Sequence, residues 1–135
     1  MKIFIDTGAF IALTDADDEN HKAAKMYYKN ATEKGMRFLT TNYVVCETMN
    51  YLRAKISHSV AIIFWENIKK TNLIETVYIT PLMENEAFNI FKQYTDKDFS
   101  FTDCTSFTVM KSLKLNKSFA FDKHFEQYDH FVRLP

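Results

Sequence analysis

Apolar residues recur along this chain in two distinct rhythms. Short unbroken runs, Ile3-Phe4-Ile5 and Phe119-Ala120-Phe121, have the continuity of strands buried on both faces. Met36 to Thr40 reads as another short strand, and so do Leu73 to Thr80, closed by Pro81, and Phe131 to Leu134. The intervening segments follow helical spacing instead. Gly8 to Thr14 predicts a short helix. His21 to Lys34 predicts a longer one, with Ala24, Tyr27, Tyr28 and Ala31 on one face and Gly35 at its end.

Thr41-Asn42 supplies a helix start, followed by a broad stripe of Val44, Val45, Thr48, Met49 and Leu52. A further helix opens at Ser57, and its stretch from Val60 to Ile68 is apolar nearly all round. That excess suits either deep burial or a surface for self-association or a partner. Leu82 to Tyr94 and Phe101 to Leu113 complete the helical set, with Ser100 or Thr102 as the cap of the second; a short helix surrounds Phe125. Strands alternating with helices predict an α/β fold: a three-layer sandwich with a mostly parallel, Rossmann-like central sheet flanked by helices. With no linker, repeat or low-complexity segment, residues 1–135 read as one domain.

Composition narrows the reading in three ways. Only 2 Gly and 2 Pro argue against an all-β chain with many turns. Seventeen basic and seventeen acidic residues cancel, so no global field draws in nucleic acid, and such contact must come from local patches or a metal ion. No apolar stretch approaches the ~18 residues of a membrane span, and the N-terminal residues do not resemble a signal peptide. Cys46 and Cys104 stand far apart without a CxxC pattern, so both are expected to be small core fillers in a cytoplasmic, reducing setting.

The candidate chemistry lies in acids at element ends. Asp6 ends the first strand and Asp122 ends the fourth, each after an apolar run. In an open parallel sheet, the carboxyl edge is where ligands bind. Asp103 falls in the first turn of a helix starting at that edge, and Glu47 borders the buried stripe of the helix after strand two. One architecture thus gathers four carboxylates. Packed together they repel, and each tends to hold a proton unless a cation neutralises the group. Mg²⁺ or Mn²⁺ suits such an all-oxygen site, polarises a phosphodiester and activates water. His124 follows closely, but a structural or surface role is the default for it. The acidic run Asp15 to Asn20 lacks the glycine and terminal glutamate of an EF-hand loop and reads as capping.

Five blocks in order resemble a known family. They are Phe4-Ile5-Asp6-Thr7-Gly8-Ala9-Phe10, Asp18-Glu19-Asn20-His21-Lys22-Ala23-Ala24, Thr41-Asn42-Tyr43-Val44-Val45-Cys46-Glu47-Thr48, Phe99-Ser100-Phe101-Thr102-Asp103-Cys104, and Ala120-Phe121-Asp122-Lys123-His124-Phe125. Together they are similar to PIN-domain ribonucleases, most closely the VapC-like toxins of toxin–antitoxin pairs. Cys104 stands where that family more often has Ala. The resemblance implies Asp6, Glu47, Asp103 and Asp122 as the catalytic, metal-holding acids, supported by Thr7 and Thr102. It also implies Mg²⁺- or Mn²⁺-dependent RNA hydrolysis leaving 5′-phosphate and 3′-hydroxyl ends, a homodimer, and a cognate antitoxin. A housekeeping RNA-processing nuclease and a non-catalytic RNA-binding or scaffold module are the alternatives. A HAD-type phosphatase is disfavoured, because the position two residues after Asp6 is Gly8 rather than an acid.

Overall fold

A computed structural model describes residues 1–135. In chain order the elements are β1 (Lys2–Ile5), α1 (Thr7–Thr14), α2 (His21–Glu33), β2 (Arg37–Thr41), α3 (Asn42–Lys55) and α4 (His58–Lys70). They continue with β3 (Ile74–Val77), α5 (Pro81–Gln93), α6 (Phe101–Ser112), β4 (Lys117–Phe119), α7 (His124–Gln127) and β5 (Val132–Leu134). The five strands form one sheet in the order β3-β2-β1-β4-β5, and every pairing is parallel. The expected three-layer α/β architecture is the one observed.

Strand order explains why β1 matters. The chain steps outward from β1 to β2 to β3, then returns to place β4 on the other side of β1. The reversal lies between β1 and β4, which is the position where side chains beyond the strand ends converge on a crevice. Register fixes this edge: Ile5 pairs with Phe119, and the Asp6 N–H donates to the Phe119 carbonyl at 3.1 Å. On the other side, the Thr40 hydroxyl donates to the Ile5 carbonyl at 3.1 Å. Asp6 is therefore locked at the last hydrogen bond between two neighbouring strands.

The core is largely aromatic. Phe4, Phe38, Phe107, Phe119 and Phe125 are fully buried. Phe107 stacks on Tyr128 with centroids 4.6 Å apart and meets Phe99 and Phe125 edge-on. The helix carrying Phe107, α6, is buried continuously from Asp103 to Met110, so its first turn is anchored by the same packing as its centre. Leu113, which the sequence pattern included in this helix, lies just past its end and is exposed.

Several local expectations are corrected. β3 covers only Ile74–Val77, and Pro81 does not close a strand but opens α5, where Thr80 Oγ accepts the Met83 N–H at 3.2 Å. A Thr-Pro pair is a helix start as readily as a strand stop, because proline at the first helical position leaves out an N–H that would be orphaned anyway. Strand β4 ends at Phe119 rather than running to Phe121. Helix α4 is not deeply buried: Ala61, Phe64 and Ile68 face inward, while Ile62, Ile63 and Trp65 are exposed. Cys104 is buried as expected, but Cys46 is exposed. Gly35 is where a glycine is required: at φ +83° it lets the Met36 N–H reach the Ala31 carbonyl and its own N–H reach Thr32, ending α2.

Because Phe107 ties α6 to the aromatic layer beneath β1, Phe107→Ala should destabilise the protein by about 3–5 kcal/mol. Urea denaturation checks this, and a loss under 1 kcal/mol would mean the layer repacks freely.

Candidate active site

Asp6 sits one residue beyond β1, at the N-cap of α1, yet its carboxylate makes no capping bond. It is 5% exposed, and its buried Oδ1 has no hydrogen-bond partner. Burial first, then the charge of Asp103, and more weakly those of Glu47 and Asp122, push its pKa up to about 8, against a lowering bond from the Thr7 backbone. The neighbouring Thr7 hydroxyl is also buried and unpartnered. A buried acid with an idle oxygen, in the field of three other acids, is suited to a cation.

Asp103 arrives differently. Ser100 caps α6 by accepting the Asp103 N–H at 3.0 Å, while Asp103 Oδ2 accepts the Ser100 N–H at 3.0 Å, a reciprocal capping box. Burial raises the Asp103 pKa, partly offset by that backbone bond and by His124. Asp122 lies in the turn after β4, where its Oδ1 accepts the His124 N–H at 2.9 Å. His124 then reaches back: its ring Nδ1 is 2.8 Å from Asp103 Oδ2 and 3.2 Å from Asp122 Oδ2. Asp103, Asp122 and His124 offer ligand atoms all within 4.8 Å of one another.

Glu47 comes from α3, whose start is fixed by Thr41 accepting the Val44 N–H at 3.1 Å. The neighbouring Asn42 Oδ1 accepts the Ile79 N–H at 2.8 Å, tying α3 to the segment after β3. Glu47 is exposed rather than half-buried, and it lines a cleft of about 470 Å³ with Asn42, Tyr43, Cys46, Asn50 and Thr102. Thr102, in the first turn of α6, thus shares the cleft wall with Glu47 and is half-buried. All four acids therefore lie around one strand-end crevice. The tight group within it is Asp103, Asp122 and His124, with Asp6 beneath and Glu47 on the rim. Of these, His124 is the residue that sequence reasoning set aside; its only signal was an Asp-x-His spacing just after a strand.

The residues suit a hard divalent cation. Two of the acids are raised in pKa by burial, one carries an orphaned oxygen, and no lysine or arginine forms an ion pair with any of the four. A larger cavity, about 610 Å³, lies elsewhere, walled by Phe10, Leu13, Tyr28, Val60, Ile63 and Phe64 among others from α1, α2 and α4.

The profile described as the PIN domain matches residues 3–131. This chain belongs to the PIN-domain family. Among curated relatives it is 29% identical over 123 residues to the 23S rRNA-specific endonuclease VapC20 of Mycobacterium tuberculosis, covering 91% of each chain. It is 31% identical over 127 residues to a VapC ribonuclease of Archaeoglobus fulgidus, covering 93% of this chain and 80% of that one. The crystal structure of the M. tuberculosis VapC20, described as a sarcin–ricin loop cleaving toxin, superposes with a TM-score of 0.88 at 28% identity, covering 96% of both chains. VapBC2 from Rickettsia felis shares the fold at a TM-score of 0.71 and 10% identity, over 99% of this chain and 98% of that one. No helix of this PIN-family chain is long and apolar enough to cross a membrane.

The raised pKa of Asp6 has a direct consequence for the metal-free protein. The folded state keeps that proton to about pH 8, whereas a free aspartate loses it near 3.8. Between those values the folded state binds more protons than the unfolded chain, so stability falls as pH rises through the window. Asp6→Asn removes that loss and should raise the melting temperature of metal-free protein at pH 8 by about 5 °C or more, with little difference near pH 4. Thermal melts in chelator at the two pH values check it.

Proposed function

We propose that this chain is a divalent-metal-dependent endoribonuclease, with residues 1–135 acting as one PIN nuclease domain in the cytoplasm, and that it is the toxin of a toxin–antitoxin pair. The observation carrying the catalytic reading is Asp6: a buried, unpartnered carboxylate at the sheet's switch point, surrounded by three further acids. Asp6, Glu47, Asp103 and Asp122 would hold Mg²⁺ or Mn²⁺. When bound, the ion supplies Lewis-acid polarisation of the scissile phosphate and a water acidic enough to attack at neutral pH.

The remaining tasks fall to the chain. Asp6, packed under the site, holds a proton that a cation would displace, so its negative charge would develop against the ion. Asp103, held by its capping box, presents its carboxylate from a rigid helix end. Thr7 and Thr102 offer hydroxyls that can orient a carboxylate or a water. The cleft beside Glu47 leads a polynucleotide past the acids, with Asn42, Asn50 and Thr102 as hydrogen-bonding groups along it. Attack of water on phosphorus with loss of the 3′ oxygen leaves 5′-phosphate and 3′-hydroxyl ends. Relatives described as acting on 23S rRNA make a sarcin–ricin-type hairpin the first substrate to try.

The partner reading rests on a second feature. The 610 Å³ groove is predominantly apolar, and Ile63 on its rim is 55% exposed. An apolar segment of an antitoxin would bury this groove, and the R. felis neighbour is a VapBC complex. The exposed Phe88 and Phe91, one turn apart on α5, offer a separate face for a homodimer.

Two experiments check these readings. Purified protein should cleave the hairpin with Mg²⁺ or Mn²⁺, and not with EDTA, while Asp6→Ala and Asp103→Asn fall to the chelated level without loss of fold. An active Asp103→Asn enzyme would remove that acid from the site; metal binding and folding without cleavage of any RNA would favour the non-catalytic alternative. Separately, Ile63→Glu should melt like the parent yet fail to co-purify with the product of the adjacent gene. Unchanged co-purification would move the docking surface off this groove.

A further inference from the structure

We propose that His124 is a positioning residue for two of the site's carboxylates, donating from Nδ1 to Asp103 and from its backbone N–H to Asp122, rather than binding the metal. This rests on the acidic-site reading above and adds to it a group outside the four acids. The geometry begins with Asp103. Its Oδ2 receives both the Ser100 N–H at 3.0 Å and the His124 ring at 2.8 Å, while its Oδ1 takes no bond from the protein. Two donors on one oxygen fix the carboxylate's rotation and leave the other oxygen for a cation. Without the ring, only the backbone bond would hold that rotation.

Asp122 is bound by the backbone of the same residue and approached by its ring. The His124 N–H bonds its Oδ1 at 2.9 Å, and the ring Nδ1 lies 3.2 Å from its Oδ2. Carboxylate oxygens facing Nδ1 accept, so the ring's proton belongs on that nitrogen. One imidazole thus spans two acids 19 residues apart in sequence, one in the turn after β4 and one in the first turn of α6. The ring itself is held edge-on by buried Phe99 at 5.4 Å, and Phe99 is wedged in turn against Phe107 and Tyr94. That aromatic wall gives the imidazole one orientation and makes it a rigid spacer. Groups that orient metal ligands through a hydrogen bond typically change affinity 10- to 100-fold when lost.

The experiment titrates metal-free full-length protein with Mn²⁺ by calorimetry, comparing the parent with His124→Ala, His124→Phe, His124→Asn and Asp103→Asn, each checked by thermal melting. His124→Phe keeps the ring packed on Phe99 without a donor, and His124→Asn places an amide N–H close to the Nδ1 position. Expected is a loss of about 10- to 100-fold in Mn²⁺ affinity for the Ala and Phe variants, with the Asn variant within about threefold of the parent. Parent-like binding by folded His124→Ala overturns the proposal. So does an Asn variant as weak as Ala, since the imidazole nitrogen would then be acting as a ligand.

A second measurement needs no variant. Nitrogen-15 correlation spectra of the parent should show His124 protonated at Nδ1 both before and after addition of Mg²⁺; loss of that proton on metal binding overturns a donor role. Asp103→Asn separates the two layers of inference. If it binds Mn²⁺ like the parent, the acidic-site reading fails; if it loses binding while His124→Ala keeps it, only the role of His124 fails.

Discussion

Charge crowding at the end of β1 is the constraint around which the molecule is arranged. Asp6 is placed by backbone register, through the bond from its N–H to Phe119, and not by any partner for its side chain. Its carboxylate is therefore carried into a poorly solvated crevice by the sheet whether or not that is comfortable for the charge. Three further acids are delivered to the same crevice by three other elements. The folded chain without a cation holds a proton on Asp6 and a hydrogen-bonded imidazole between Asp103 and Asp122, which is how it avoids several bare like charges in one place.

That arrangement explains why the helices entering the site are anchored so firmly. An acid that repels its neighbours drifts away unless the element bearing it is fixed elsewhere. Asp103 is fixed by a capping box and by a helix buried through its first two turns. Asp122 is fixed by a two-residue turn closed by its own side chain. Glu47 is the exception: it sits on an exposed face of α3. Its exposure suits its position on the wall of the cleft.

Much of this was readable from the residues alone, and the parts that were not share a cause. A run such as Ile3-Phe4-Ile5 has one interpretation, so β1 and the acid at its end were legible. Thr80-Pro81 has two, and choosing between strand end and helix start needs the tertiary fact that β3 pairs with β2 over only four residues. The apolar excess of α4 showed that a face would be spare but not which one; packing on Ala61, Phe64 and Ile68 decided it. Cys46 was expected inside, yet helical phase puts it beside Glu47 on the cleft wall. His124 was least legible, because its contact with Asp103 spans 21 residues and depends on a turn whose geometry Asp122 itself creates.

The same logic bears on how proton and cation compete. Among the four acids, the deepest, Asp6, is the one most raised in pKa, while Asp122 is partly exposed and bonded by the His124 backbone N–H. Glu47 and Asp122 are the more exposed of the four, and Asp103 and Asp6 lie deeper. In the site proposed above, the outer acids would meet a cation first, and burial would make Asp6 the acid slowest to give up its proton. Burial thus does more than strengthen the field at the site. It separates the acids into an outer set that attracts a cation and an inner one whose charge appears only when something is there to neutralise it.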